Sequence, residues 1–587
     1  MILRLLLAFA AYAAAGYTYD HLRYSVVRIQ SVAANFNMMM PFQAAQDAVG
    51  LGSGWVVEAG QDPLLVTNSH VVKNGHTVMV QLLVLGEQKF AVDVVTICTK
   101  FDLALLKFSR PAQFLAALKE QNIELRALKL ATKPAAMGAE IVALGFPLGQ
   151  QTMKISKGVI AGNQEVNGNM CIQSTAAISP GNSGGPLISD DGTEVIAVNF
   201  AKSAAKHAEG VNFAIPVWRV AQIVQQYKNA PSTLAKQSPP PRMNARFAPL
   251  GATTIEGSPA LYELSGGCTK GLFVSNIDKK SAFGTAQPAI PQHAFVTHIN
   301  GVKLDKFGMG RNTAYAADFV DWGDLLFMTS AVDTPVEITM CKNGAESKHK
   351  VSLLWKKEYT PGIEMIEEPS FANVSYEIFG DVGVMQMTVN HIQDIVQQTG
   401  DASATRWLYP GLSETPRLIV NYVRPGSYAA DFLAVGACIT KVNGNAVSTL
   451  ADFQRFFTPN TTATGSGKSF LATSESAELQ GLSKAVWTME TDLGKLYATM
   501  FKDTLNAQVA AAKIMPWVLT PAVKKAVANL KKKGLHLLEQ HSLPVDEAAA
   551  PGPEQVASVA AGPVEVSESG VTMDKVSLPA VLLSVLE

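Results

Sequence analysis

Between about residues 22 and 228 the apolar residues come in short runs broken by Gly- and Asn-rich turns: "YSVVRIQSV", "GSGWVVEA", "PLLVTNSHVV", "FAVDVVTI", "LALLKF", "EIVALGF", "KISKGVIAG" and "GVNFAIP" among them. Runs of this length and composition predict strands, and so many in about 200 residues predict an all-β barrel or sandwich pair. The pattern then stops at residues 231–246, where "SPPPR" sits in a stiff, extended linker. Two later stretches echo each other. The first holds "GLFVSNIDKKSAFG" and "HAFVTHINGVKL", the second "RLIVNYVRPGSYAADF" and "GACITKVNGNAV". Each gives a strand, a polar turn, a small helical segment and a strand ending in Asn-Gly, which predicts two copies of one small α+β module, over 247–356 and 359–495. Apolar residues at helical spacing (Val523, Val527, Leu530) predict a helical extension over 496–545. Residues 546–587 lack the bulky side chains of a core and are expected to be disordered.

Composition narrows the function. A formal net charge of −1 over 587 residues leaves no basic excess for nucleic acid. The cluster Lys531–Lys533, with Lys524 and Lys525, reads as a solvated helix face. Five scattered cysteines form no CxxC pair, so small buried thiols are expected, with no disulfide framework, no metal and no cofactor. "TATGSGKSF" lacks the first Gly of a phosphate-binding loop, Thr462 standing there, so no nucleotide is implied. At the N-terminus one Arg, an apolar run and Ala13–Ala15 have the layout of a signal peptide over residues 1–15, pointing to a secretory or periplasm-like compartment. An organelle presequence or a short anchor is the alternative.

The chemistry starts from "SPGNSGGPL". A serine hydroxyl becomes a nucleophile when an imidazole takes its proton and a carboxylate orients that imidazole. His70 ends the hydrophobic strand of "LLVTNSHVV", whereas His76 follows a turn and reads as surface. Asp102 enters the apolar strand of "FDLALLKF", where an unpaired charge would be costly. Asp93 alternates onto an outer strand face. Around Ser183, glycines at 181, 184 and 185 allow close backbone approach, and the amides of Gly181 and Ser183 are expected to face a developing oxyanion.

Together "GSGWVV", "TNSHVV", "FDLALLKF", "ALGFPLG", "SKGVIAG", "SPGNSGGPL" and "GVNFAIP" resemble the HtrA/Deg family of serine proteases, over residues 22–230. The resemblance implies a mainly β chain: a chymotrypsin-like double β-barrel followed by PDZ-like domains. It implies an ATP-independent serine endopeptidase of protein quality control that acts on unfolded polypeptides. His70 is then the general base, Asp102 the orienting acid, Ser183 the nucleophile, and Gly181 with Ser183 the oxyanion hole. Residues 148–157 would form the activation loop. A substrate pocket of Ala177, Ile178, Asn212, Phe213 and Ala214 has no acid at its base, so cleavage is expected after small or medium aliphatic residues. Leu250, Gly251 and Ala252, and Pro361, Gly362 and Ile363 in the second copy, resemble loops that capture a peptide C-terminus. Family habit implies a homo-oligomer, a trimer or a multiple of trimers. A peptide-binding scaffold with little proteolysis, or a dedicated precursor-processing protease, is the alternative.

Overall fold

A computed structural model describes residues 19–457, apart from 167, 203–209, 231–241, 317, 329–332, 360, 380–381, 401, 410, 427, 432 and 443, together with strands at 486–491 and 494–499. The signal-like segment, the tail, residues 500–545 and "TATGSGKSF" lie outside the described residues.

The first barrel is built from β1 (Val26–Asn35), β2 (Gln46–Glu58), β3 (Leu64–Thr67), β4 (Gly75–Leu82), β5 (Lys89–Cys98) and β6 (Leu103–Phe108). They pair in the order β5-β4-β1-β2-β3-β6, and β6 returns to β5, closing the sheet. Alternation along β1 sends Val27 and Ile29 inward with Val56, Leu65, Val80 and Leu106. The helix Pro111–Glu120 carries proline in its first turn and buries Phe114, Ala117 and Leu118 at i, i+3 and i+4. Phe114 stacks on Phe108 at 3.8 Å and meets the Phe90 edge at 5.0 Å, plugging one end of the barrel. Burial of such a side chain is worth about 2–3 kcal/mol.

A short strand β7 (Lys129–Leu130) leads to the second barrel: β8 (Glu140–Gly145), β9 (Lys154–Val166), β10 (Asn169–Ser174), β11 (Pro186–Ser189), β12 (Glu194–Lys202) and β13 (Asn212–Pro216). Its order is β11-β8-β9-β10-β13-β12, closed by β11–β12. Two closed six-stranded barrels are the chymotrypsin-like arrangement expected from the sequence. Between them lies a cluster that includes Trp55, Leu64, Leu105, Val142 and Leu144, all fully buried.

That cluster runs on into the first C-terminal module through Phe101, Phe247 and Phe327, whose ring centroids lie 4.8–5.7 Å apart. After the linker, β14 (Met243–Asn244) adds in parallel to β5 beside Thr96 and Ile97. The module's sheet starts at the edge strand β15 (Ala252–Ile255), followed by β16 (Leu272–Ile277) and β17 (Ala294–Ile299), then Val336–Lys342 and Ala345–Val351.

Here the expectation for the cysteines is overturned. Cys268 and Cys341 form a disulfide, while Cys98, Cys171 and Cys438 are the buried thiols foreseen. Pairing across a separation of 73 residues leaves no local signature. Closing a loop of that size is worth about 4 kcal/mol on the chain-entropy account. Cys268→Ser should therefore lower the module's denaturant midpoint, and reductant should move the parent chain, but not the variant, by a similar amount.

The second module forms its own sheet, from Tyr376–Phe379 through Val382–Gln386, Leu418–Val423, Cys438–Val442 and Val486–Thr491 to Gly494–Thr499. The helical extension expected from residue 496 does not begin there, because Gly494–Thr499 continues the sheet as a hairpin with Val486–Thr491. Two further features set this module apart. Met38, at the tip of the β1–β2 hairpin, is buried in its core beside Ile363, Met385 and Met387. The Asn421 amide also donates to the Met39 carbonyl at 2.9 Å. Its Pro361–Ile363 loop, expected to capture a peptide terminus, is already packed: Ile363 N–H donates to Ser413 at 2.9 Å, and a Cβ at Gly362 would lie 2.4 Å from the 415–416 backbone.

Candidate active site

The chain places His70 and Asp102 through two neighbouring strand ends. β3 stops at Thr67, and a single helical turn, Ser69–Val72, carries the imidazole. Asp102 precedes β6 in a left-handed conformation (φ 48°), unusual for a residue with a side chain. Four contacts hold it against the helical turn. The Asp102 carbonyl accepts from Ser69 N–H (3.1 Å) and from the Asn68 amide (2.9 Å). Its carboxylate accepts from His70 N–H through Oδ1 (2.8 Å) and meets His70 Nδ1 through Oδ2 (2.6 Å). The carboxylate is 18% exposed and the imidazole 48%, so the acid is shielded while the opposite face of the ring stays open to a substrate. His76 instead pairs with Asp47 at 3.0 Å on the surface, and Asp93 lies apart, on a cavity wall beside the second module.

Ser183 sits in a turn between β10 and β11 whose shape depends on two glycines. Gly181 has φ 100°, and a Cβ there would lie 2.4 Å from the Phe146 carbonyl. Gly184 has φ 84°, with the Ser53 carbonyl 2.2 Å from where its Cβ would be. Gly184 and Gly185 thus serve to seat the turn on the two barrels, and Gly181 is the glycine of the expected oxyanion site. Among the described residues neither Gly181 N–H nor Ser183 N–H has a protein acceptor. The Pro180 carbonyl accepts from Leu148 N–H at 2.6 Å. In a planar trans peptide the following N–H points the opposite way, so Gly181 N–H faces away from the Leu148 loop. Arg28 holds that loop through the Gly149 carbonyl at 2.8 Å.

The Ser183 hydroxyl donates to the Phe200 carbonyl at 3.1 Å rather than to His70. The expected serine–imidazole bond is not made here, and a rotation about χ1 would have to bring the hydroxyl round. No thiol competes for the role. Burial pushes both Cys98 and Cys171 up to about 12.

Of the expected pocket residues, Ala177 is exposed and Phe213 half-buried. Ile178 and Ala214 face the core of the second barrel, and Asn212 is buried where β13 pairs with Ser174. None of the five carries a charge. Beside His70 an open cavity of about 470 Å³ is lined by Phe101, Met170, Phe200, Ile215 and Arg219. Leu250, Gly251 and Ala252 lie in the first module, at the start of edge strand β15. Gly251 has φ 66°, and the N–H groups of Leu250 and Gly251 have no acceptor among the described residues.

One residue of the site was not foreseen. Ser53, fully buried in β2, donates its hydroxyl to the Gly181 carbonyl (2.7 Å), accepts from Phe146 N–H (2.9 Å) and donates its own N–H to the Ser183 carbonyl (2.8 Å). It ties the Ser183 turn to the first barrel. A serine flanked by glycines within an apolar strand was the available signal.

The trypsin-like peptidase domain family matches residues 52–198. The chain is 29% identical over 260 residues to serine protease HTRA4 of Mus musculus, covering 43% of this chain and 49% of that protein. It is 35% identical over 187 residues to serine protease HTRA1B of Danio rerio, covering 30% and 35%. It is 24% identical over 362 residues to serine protease Do-like HtrA of Bacillus subtilis, covering 57% and 72%. The chain thus spans half or less of the two vertebrate relatives. A solved structure of the HtrA-type protease AlgW with a decapeptide aligns at 18% identity and a TM-score of 0.39, covering 57% of this chain and 98% of that one.

Proposed function

We propose, starting from a chain that belongs to the HtrA/Deg family of serine proteases, that it cuts unfolded polypeptides with Ser183 as nucleophile, His70 as general base and Asp102 as orienting acid. The observation that carries this reading is the double hold of Asp102 on His70, through the backbone N–H and Nδ1 together. With Nδ1 occupied by the carboxylate, Nε2 is left to take the Ser183 proton as the hydroxyl attacks, and later to return it to the leaving amine. The free amides of Gly181 and Ser183 then stabilise the oxyanion, a contribution of about 3–4 kcal/mol per donor in sites of this kind. The absence of charge among Ala177, Ile178, Asn212, Phe213 and Ala214 supports cleavage after small or medium aliphatic residues, and a broad preference of that kind supports a quality-control role.

A fluorophosphonate probe tests the reading. We expect one label per chain, on Ser183, and a peptide-library digest dominated by cuts after aliphatic residues. Folded protein that stays unlabelled with and without added peptide would favour the scaffold reading, and cuts mainly after Lys or Arg would reject the pocket assignment. The unpaired amides of Leu250 and Gly251, at the start of an open sheet edge, support capture of a peptide C-terminus by the first module. The disulfide and the signal-like segment support an oxidising compartment. Assembly as a trimer is proposed on family habit and is read by sedimentation.

A further inference from the structure

The helix that carries His70 is one turn long, too short to hold its shape by itself. Asp102 fixes its start. Its end is fixed from outside both barrels. Lys73 N–H closes the turn onto the Ser69 carbonyl, and Asn74 follows in a left-handed conformation (φ 56°). The N–H of Asn74 donates to Glu368 Oε1 at 3.2 Å, and Lys73 Nζ lies 3.4 Å from Glu367 Oε2. Both glutamates belong to the entry segment of the second module. Arg242, at the end of the linker, completes the arrangement, binding Glu368 Oε1 with one nitrogen at 2.5 Å and the Gly75 carbonyl with the other. Its guanidinium carbon lies over the Phe371 ring, 3.7 Å from the centroid, a contact that helps hold the side chain in place. Ser370 donates to the Ala34 carbonyl (2.9 Å), and Ala34 N–H donates to the Asn74 carbonyl (3.2 Å). The Glu368 side chain is only 11% exposed, so water competes weakly for these bonds.

We propose that Glu368 is a positioning residue for His70: its carboxylate, neutralised by Arg242, pins the turn at 73–75 and so sets where the imidazole stands relative to Ser183. The second module is then a brace on the general base. Its packed Pro361–Ile363 loop and its core completed by Met38 accord with a fixed attachment. This inference rests on the protease reading of Ser183 and His70. The sensitivity of proton transfer to small displacements makes such a brace consequential, since misplacement by about 1 Å costs about a hundredfold in rate.

The test is made in the full chain. Glu368→Ala should lower both kcat on a peptide and the fluorophosphonate labelling rate about tenfold, with KM within about twofold, the loss expected of one hydrogen bond to a charged group. Glu368→Gln keeps an acceptor oxygen and should recover most of that loss. Arg242→Lys keeps the charge but gives up the fork, and should fall between. Rates are compared per folded molecule, well below each variant's unfolding temperature, so a role confined to stability would leave kcat and labelling at the parental values. That result would overturn the proposal while leaving the protease reading intact. Should Glu368→Ala fail to fold, parental kcat and labelling in Arg242→Lys would overturn it equally. A parent chain that never labels at Ser183 would remove both readings at once.

Discussion

Replacing Ser183 by Ala should lower kcat/KM on an unfolded polypeptide about a millionfold, and adding His70→Ala should cost almost nothing more. The expectation follows from how the groups depend on one another. The hydroxyl is a nucleophile only while Nε2 can receive its proton, and the imidazole has no other task in the attack. Removing either leaves the oxyanion amides and substrate binding, which keep a residual acceleration over water. A millionfold loss is about 8 kcal/mol of transition-state stabilisation, against which the second substitution finds nothing left to remove. Asp102→Asn should cost less, about ten-thousandfold, by holding the imidazole in the wrong tautomer. Steady-state kinetics on an unfolded protein substrate, with the single and double variants side by side, reads all three. Losses that add independently, or a Ser183→Ala loss far short of a millionfold, would assign the nucleophile elsewhere.

What the sequence made legible were features whose physics is local. A hydrophobic strand ending in small polar residues marked His70, a lone acid at an apolar strand marked Asp102, and three glycines around Ser183 marked a turn of unusual backbone shape. Each property is visible within ten residues. Ser53 was missed because a buried serine between glycines has the same local pattern whether it knits two barrels or merely turns a chain. In the sequence Cys268 and Cys341 look like separate thiols, because their pairing depends on where two distant segments end up. The second module's sequence echoes the first, and it too forms a sheet of its own. Only packing shows that Met38 lies in its core and that Glu368 reaches the turn after His70.

Arg219 and Asp324 show the same limit, and they carry the largest stability prediction. Arg219 lies on the helix Val217–Asn229 behind the second barrel, and Asp324 on the helix Trp322–Phe327 of the first module. Their side chains, 1% and 5% exposed, meet at 2.6 Å, and Met170 N–H donates to the second carboxylate oxygen, also at 2.6 Å. The guanidinium lies over the Phe101 ring, 3.7 Å from the centroid, one residue from Asp102. Burial pushes Asp324 up and pushes Arg219 down to about 10, so each charge is tolerated because the other is present. Arg219→Met leaves a buried carboxylate without its cation and should destabilise the chain by about 3–5 kcal/mol. Changing both, Arg219→Met with Asp324→Leu, should recover part of this, because no charge is then stranded. Recovery should stop short of complete, because Met170 N–H loses its acceptor, at about 1–3 kcal/mol. The pH dependence has a definite sign. Without Arg219 the folded-state pKa of Asp324 rises further above its unfolded value. The single variant should therefore be least stable at neutral pH and regain stability as the pH falls through that raised pKa, while the double variant, with no carboxyl at 324, loses this source of pH dependence. Denaturant unfolding at neutral and mildly acid pH measures both, and a single variant as stable as the parent at neutral pH would show that the pair does not join the module to the barrels.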